Sequence, residues 1–373
     1  MSTFVLDGRY IQDHFPGIGR YAFNLAEALA RVAPDESFRI IHDPRLVNTR
    51  YDLDLLARRP NVELTRVAAP TFSLREQWLG ARRALTRDAA LWHSAYYVMP
   101  YLLPLSVVVT LGDVMPLVRP SEMPGAARRL VYRVLNALAA RAARTVITFS
   151  RAARDGLERA LGIPAGKIVV VPLAADARFG AASTREIASV RDRLDLPEAY
   201  ALYLGANKPH KNLGRLIRAW ARVGPVTDSI LVVAGHWDAR YPEARIEVAA
   251  LGLERRVLFR ADVADADVPA LISGARVFVF PSLYEGFGLP PLEAMACGTP
   301  VVAADAPGLA EVAGGAALLF DPLDVGALGD ALACALADAG LRASLREQGL
   351  ARARQFSWER TARETLCVYR ACR

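Results

Sequence analysis

The segment from Arg276 to Ala304 constrains the fold of this chain more than any other. Val277-Phe278-Val279-Phe280 is short, apolar and β-branched or aromatic, which reads as a buried strand. Pro281-Ser282-Leu283-Tyr284-Glu285-Gly286-Phe287-Gly288 follows as a turn, and Pro290 or Pro291 suits the first turn of a helix, where a missing N–H costs nothing. The helix stops before Gly298 and Pro300, and a second apolar run, Val301-Val302-Ala303-Ala304, comes next. Strand, glycine turn, helix, strand is a βαβ unit, so the segment predicts a parallel sheet covered by helices. A helix N-terminus behind a glycine turn offers N–H groups and a positive dipole end to a phosphate. Glu285 and Glu293 stand on either side of that turn. A carboxylate on each side of a phosphate cradle suits hydroxyl-rich groups beside a diphosphate. The plainer alternative is a turn with Glu285 left to solvent.

The same alternation runs through the whole chain. Phe4-Val5-Leu6, Phe38-Arg39-Ile40-Ile41, Leu91-Trp92, Val107-Val108-Val109-Thr110 and Thr145-Val146-Ile147-Thr148 read as strands of a first half, with a helix from about Gly19 to Val32 after the first of them. Ser150 is placed to cap the helix that follows the last. Tyr200-Ala201-Leu202-Tyr203-Leu204, Ile230–Ala234, Val257-Leu258-Phe259, Val277–Phe280 and Val301–Ala303 repeat the pattern in a second half. A chain of 373 residues is too long for one ordinary core and comfortable for two. The expectation is an α/β protein of two Rossmann-like doubly wound domains facing each other across a cleft, spanning residues 1–180 and 181–355. Residues 356–373 form a helix whose Trp358, Leu366 and Tyr369 pack it back on the first domain. Ligands of such sheets bind outside the carboxyl ends of the strands.

Composition excludes several classes. Cys297, Cys334, Cys367 and Cys372 lack CxxC spacing and are few for the length, which fits reduced thiols in the cytoplasm. The start, Met1 to Arg9, has no signal-peptide pattern, and no apolar stretch reaches spanning length. Residues 1–180 hold 24 Lys+Arg against 16 Asp+Glu, net +8, while the remainder holds 22 against 23, net −1. The excess basicity of the first half suits an anionic surface, or reflects a solvated arginine-rich one. Nucleic acid is set aside, because interleaved aromatics and a recognised module are both missing.

Three loops carry candidate chemistry. Leu204-Gly205-Ala206-Asn207-Lys208-Pro209-His210-Lys211-Asn212 follows a strand and leads into an amphipathic helix from Leu213. The chain has only three lysines, and two of them, Lys208 and Lys211, sit here. Ammonium groups at a strand's carboxyl end neutralise a diphosphate and the charge that develops as a bond to it breaks. His210 either donates to phosphate or shapes the turn. Gly17 and Gly19, in Pro16-Gly17-Ile18-Gly19-Arg20-Tyr21 between the first strand and its helix, are a weak signal alone and a candidate cleft wall. Trp92-His93-Ser94-Ala95-Tyr96-Tyr97 and Thr110-Leu111-Gly112-Asp113-Val114 supply acceptor-side candidates His93, Tyr96 and Gly112, with Asp113 the best-placed carboxylate. Asp113 alternatively caps its loop, and His93 alternatively is a structural histidine. Ser-His-Asp order, zinc spacing and a Walker lysine are absent from the sequence, and Asp52-Leu53-Asp54 and Asp265-Ala266-Asp267 lie in charged stretches, so no metal site is inferred.

Together, Glu285-Gly286-Phe287-Gly288-Leu289-Pro290-Pro291-Leu292-Glu293, Lys208-Pro209-His210-Lys211-Asn212 and Gly17-Ile18-Gly19-Arg20-Tyr21 resemble the retaining glycosyltransferases of family 4, with the GT-B fold. The resemblance covers nearly the whole chain, including Trp358-Glu359-Arg360. It implies transfer of a hexose, mannose-type from a GDP- or UDP-sugar, to a saccharide or lipid-linked saccharide acceptor with the anomeric configuration retained. It further implies a role in surface polysaccharide or lipopolysaccharide assembly, with no cofactor and no bound metal. By position it implies that Glu285 contacts the donor sugar hydroxyls, Glu293 the ribose diol, and the amides of Gly286, Phe287, Gly288 and Leu289 the diphosphate. Lys211 stabilises the leaving phosphate, with Lys208 or His210 where the family often has arginine. Gly205 and Asn212 belong to the same donor loop, and Gly17 and Gly19 match the family's first-domain glycine loop. Front-side departure and attack need no enzyme base, since the leaving phosphate can take the acceptor's proton. The chain departs from the family at Gly112, where many relatives carry a histidine before the aspartate; Asp113 or His93 is left as the candidate for such a step, or this branch lacks one. The alternative reading is a catalytically weak nucleotide-sugar-binding partner in a polysaccharide-synthesis complex. The expected location is the cytoplasm, with the basic stretches Arg75–Arg83 and Arg128–Leu135 resting on the inner face of the membrane.

Overall fold

The computed structural model describes residues 3–81, 83–223, 227–261 and 263–373; Arg82, in the first basic stretch, lies outside them. The chain divides into two units, Met1–Leu173 with Ser357–Arg373, and Ala174–Phe356. Each is an open, all-parallel sheet, and together they are the two Rossmann-like domains of a GT-B fold.

The first unit holds β1 (Thr3–Asp7), β2 (Ser37–His42), β3 (Val62–Arg66), β4 (Ala89–Ser94), β5 (Ser106–Thr110), β6 (Thr145–Thr148) and β7 (Ile168–Val170). Their order is β3-β2-β1-β4-β5-β6-β7. The chain winds outward in one direction from β1 and in the other from β4, so the strand order reverses between these two neighbours. The central strands are apolar without alternation because both faces are covered; Phe4, Val5 and Leu6 of β1 are all buried. The helix Pro16–Val32 starts three residues earlier than the sequence suggests, with Pro16 at its first position. Gly17 and Gly19 therefore lie in the first helical turn, not in a loop before it. A Cβ on Gly19 would stand 2.8 Å from the Tyr10 carbonyl oxygen, whereas Gly17 has open space around it. Close packing of the helix start explains Gly19 and leaves Gly17 unexplained.

The C-terminal helix Trp358–Ala371 belongs to this unit. Ser357 caps it through its hydroxyl and the Arg360 amide, 3.1 Å away. Tyr369 packs its ring 5.1 Å from that of Phe4, and the Thr361 hydroxyl donates to the Pro172 carbonyl at 2.7 Å.

The second unit holds β8 (Tyr200–Leu204), β9 (Ile230–Ala234), β10 (Val257–Arg260), β11 (Val277–Phe280), β12 (Val301–Ala304) and β13 (Leu318–Phe320), in the order β10-β9-β8-β11-β12-β13. Here the order reverses between β8 and β11, which are paired through Ala201 with Val277 and Leu202 with Phe278. Such a reversal opens a crevice at the carboxyl ends of the two strands, because the connections leave toward opposite sides. The loops that leave β8 and β11 are the lysine loop and the glutamate loop.

Candidate functional site

The two loops are fastened to each other by their own backbones. The His210 carbonyl accepts from the Leu283 amide at 2.8 Å and from the Ser282 hydroxyl at 3.2 Å. Asn212, buried and held at φ +62°, donates through Nδ2 to the Pro281 carbonyl at 3.1 Å and the Pro322 carbonyl at 2.8 Å. Its Oδ1 accepts from Arg215 at 2.9 Å. Asn tolerates the left-handed conformation better than most residues, so one side chain both makes the turn and ties three loops together.

This fastening brings Lys211 to Glu285. The ammonium Nζ lies 2.6 Å from Oε1, with the two side chains 15 % and 17 % exposed, and 4.9 Å from the centre of the buried Phe280 ring. The pair is half-buried at the carboxyl ends of β8 and β11, on a floor made by Phe280 stacked with Tyr203. Lys208, by contrast, is exposed, and only Lys211 is brought to the glutamate. His210 is buried and joins the loops through its carbonyl. Glu293 is buried on the helix Leu289–Ala296.

Glycines let these loops approach. Gly288, at φ +106°, caps that helix, and a Cβ there would meet Leu309 at 2.7 Å. The two prolines of the first turn, Pro290 and Pro291, have no N–H, and the Leu292 amide bonds to the Gly288 carbonyl at 3.3 Å. Any amide of this turn that met an anion would therefore belong to the loop up to Leu289, not to the rest of the helix's first turn. Sequence reasoning missed three residues here. Gly308, at φ +84°, would place a Cβ 2.3 Å from the Glu285 carbonyl oxygen. Gly235, at φ +116°, would place one 2.6 Å from that of Gly205, while Gly205 itself lies against the Tyr203 hydroxyl. Asn207 donates to the carbonyls of Asp238 and Tyr241 at 2.8 and 2.7 Å, which locks the loop after β9 to the lysine loop. Positive φ at a glycine in a loop is a signal only the backbone carries.

The acceptor-side candidates of the first unit fare differently. His93 is fully buried, its Nδ1 2.6 Å from the Tyr369 hydroxyl and its Nε2 2.8 Å from that of Thr110. Burial pushes its pKa down to about 3. With both ring nitrogens engaged it is a structural histidine and does not face an acceptor. Asp113 is half-buried, and its Oδ1 accepts from the Met115 amide at 2.8 Å, as a loop cap does. A Cβ on Gly112 would stand 3.0 Å from the Phe149 ring, so a larger side chain there meets an aromatic wall. Tyr96 is half-buried against Tyr97 and Tyr10, with ring centres 4.2 and 5.4 Å away, and burial raises its phenol well above the usual range. At the carboxyl end of β1, Arg9 is clamped between Asp7, at 2.6 Å, and Glu76, at 3.1 Å, all three fully buried. Two carboxylates share one guanidinium there, and burial raises Glu76 to about 7. Among the described residues no cluster of three or more His, Cys, Asp or Glu side chains is arranged to hold a metal ion.

Comparison with known proteins places this geometry. Residues 185–352 match the family described as "Glycosyl transferases group 1", and residues 16–179 match "Glycosyltransferase Family 4". The chain is 31 % identical to the O-antigen chain mannosyltransferase B of Escherichia coli over 95 % of this chain and 96 % of that one. It is 39 % identical to the D-inositol 3-phosphate glycosyltransferase of Salinispora tropica over 62 % of this chain and 51 % of the other. Among solved structures, Anabaena Alr3699/HepE in complex with UDP and glucose superposes with a TM-score of 0.76 at 23 % identity over the full length of both chains. The sucrose-phosphate synthase of Thermosynechococcus elongatus does so at 0.77 and 23 %, covering 100 % of this chain and 99 % of its own.

Proposed function

The chain belongs to the family 4 glycosyltransferases, and from that premise we propose that it is a retaining hexosyltransferase of surface polysaccharide assembly. It moves a mannose-type sugar from a GDP- or UDP-sugar to a saccharide or lipid-linked saccharide acceptor. The likeness over nearly its full length to an O-antigen chain mannosyltransferase supports the sugar and the setting. The observation that carries the reading is the Lys211–Glu285 pair at the point where the strand order of the second unit reverses.

In this reading the donor diphosphate lies along the loop Gly286–Leu289, whose amides face it, with Lys211 on its outer oxygens and the exposed Lys208 within the same electrostatic field. The sugar hydroxyls donate to Glu285 and the ribose diol to Glu293. Breaking the bond from the anomeric carbon to the diphosphate leaves its electron pair on a phosphate oxygen, and Lys211 stabilises that charge. The acceptor hydroxyl adds to the face from which the diphosphate departs, and its proton passes to the leaving phosphate oxygen. Donor charge is met by lysines and backbone amides, so the reaction is read as independent of metal and cofactor. Incubation with a panel of labelled nucleotide sugars, with product anomers read by NMR, tests this. Retained configuration is expected, and Lys211→Ala should lower kcat by about 100- to 1,000-fold, as removal of one charge-stabilising donor does. An inverted product, or full activity in Lys211→Ala, would overturn it.

A further inference from the structure

The loops that leave the carboxyl ends of β1, β3 and β4 bring aromatic rings together where the strand order of the first unit reverses. Tyr10, fully buried, lies edge-on to Phe15 and to Tyr96, each ring centre 5.4 Å away. Phe15, half-buried at the head of the helix Pro16–Val32, is stacked with Phe72, the centres 6.3 Å apart and the planes inclined by 20°. Phe72 is the most open of these rings, 58 % exposed.

Phe72 holds this place at a conformational cost. Its φ is +62°, in the left-handed region that glycine and asparagine enter readily and an aromatic residue rarely does. Buried charges fix the turn. The Phe72 amide donates to Glu76 Oε2 at 3.1 Å, and Arg9, which holds Glu76 Oε1, also donates to the Ala69 carbonyl at 3.1 Å. A turn needed for the backbone alone would be made more easily by glycine, and a ring needed for the core would be buried. Phe72 answers neither need, so its strain and exposure together point to a ligand.

The chemistry of the surface names the ligand class. An exposed aromatic ring beside a polar rim suits a molecule that is apolar on its face and polar around its edge. A pyranose is such a ring, with axial C–H groups on a face and hydroxyls around the edge. Here the rim is supplied by the exposed His14, which stands edge-on to Phe15 with centres 4.6 Å apart and has ring nitrogens suited to hydroxyls.

We propose that Phe72 and Phe15 form the platform on which a pyranose ring of the acceptor stacks, and that Phe72 selects saccharide acceptors by the apolar face they present. The inference rests on the reading of the chain as a transferase to saccharides, and it adds the residues that hold the acceptor.

The test is saturation-transfer NMR of the full chain, with methyl α-mannopyranoside and methyl mannobiosides as probes and the protein's aromatic resonances irradiated. The wild type should pass saturation to the C–H protons of one ring face more strongly than to the other. Phe72→Asn should weaken probe binding by about three- to tenfold, the scale of an aromatic contact, and raise acceptor KM to the same extent with kcat little changed. Asparagine accepts φ +62°, so thermal unfolding of this variant should match the wild type, which separates lost binding from lost folding. Phe72→Trp should bind the probes at least as well as the wild type. Lys211→Ala, which addresses the donor site, should leave probe binding unchanged, so failure of the donor-site reading is distinguishable from failure of this one. Undiminished probe binding in Phe72→Asn, saturation spread equally over both ring faces, or no saturation of any probe would overturn the proposal.

Discussion

Asn212 is the point at which the candidate site can be loosened without touching a group proposed to meet the donor's reacting atoms. Replacing it with alanine removes two N–H donors, leaving the Pro281 and Pro322 carbonyls without them, and removes the acceptor for Arg215. Each lost bond costs about 1 kcal/mol net, and a stranded buried carbonyl costs more. Alanine at φ +62° adds about 1 kcal/mol of backbone strain that asparagine largely avoids. The sum for Asn212→Ala is about 3–5 kcal/mol, a large share of the stability of an ordinary domain. Asn212→Gly loses the same bonds but tolerates the left-handed conformation, so it should recover about 1 kcal/mol despite its larger unfolded-state entropy. Urea unfolding followed by tryptophan fluorescence gives both values. Hydrogen exchange across residues 281–288 should rise in both variants, because the glutamate loop has lost one of its ties to the lysine loop. Donor kcat/KM should fall at least about tenfold as Lys211 and Glu285 lose their alignment. An Asn212→Ala protein within about 0.5 kcal/mol of wild type, or a glycine variant no more stable than the alanine one, would refute the reasoning.

Gly308→Ala would drive a methyl group to 2.3 Å from the Glu285 carbonyl at a φ that disfavours it, so donor binding measured by thermal shift should be lost while the first unit's hydrogen-exchange protection stays unchanged. His93 makes stability depend on acid: its pKa falls from 6.5 in the unfolded chain to about 3 in the fold, so below about 6.5 the unfolded chain binds a proton that the native state refuses. Stability should then drop by up to about 1.4 kcal/mol per pH unit as pH falls from about 6.5 toward 3. His93→Gln should remove that slope, and the wild-type-minus-variant difference isolates it, because Glu76, raised by burial from 4.5 to about 7, gives a slope of opposite sign in its own window. Parallel urea-midpoint curves for the two proteins between pH 7 and pH 4.5 would show that His93 does not titrate in this way.

What could be read from the sequence tracks where the physics is local. The central strands are buried on both faces, and unbroken runs such as Val277–Phe280 say so directly. The edge strands β3, β7 and β13 escape such a reading: Val62-Glu63-Leu64-Thr65-Arg66 is half solvated, and Ile168–Val170 and Leu318–Phe320 are only three residues each. Lys211 and Glu285 stood out because lysine is scarce and the glycine turn beside Glu285 opens a helix. Gly235, Gly308 and Asn207 did not, because their roles depend on carbonyls of Gly205, Glu285, Asp238 and Tyr241 that the fold brings near. The helix Ala126–Ala142 shows a different limit. A helix apolar on two sides has no unique inward face by periodicity, and only the packing of Tyr132 and Asn136 decides that Leu130 and Val134 point out.

The Lys211–Glu285 pair has a consequence for ligand binding that separates the two residues' roles. With Nζ and Oε1 only 2.6 Å apart, each group is the other's partner until a ligand arrives. In the proposed reading a diphosphate takes the ammonium from the carboxylate, and the freed carboxylate then accepts from the sugar hydroxyls. A nucleoside diphosphate without its sugar meets the first demand but leaves Glu285 unpaired, whereas the full nucleotide sugar meets both. Glu285→Gln removes the competing charge, so nucleoside diphosphate affinity should hold or rise by up to about fivefold, the scale of a partly exposed ion pair. Turnover of the nucleotide sugar should fall at least about 100-fold, because the amide does not hold the hydroxyls as the carboxylate does. Lys211→Ala should instead weaken both ligands, since it removes the cation and strands a half-buried carboxylate. Calorimetric titration with GDP and UDP, set beside kcat for the sugar donor, reads the difference. Equal losses of nucleoside diphosphate affinity in Glu285→Gln and Lys211→Ala would mean that the pair acts only as a structural brace.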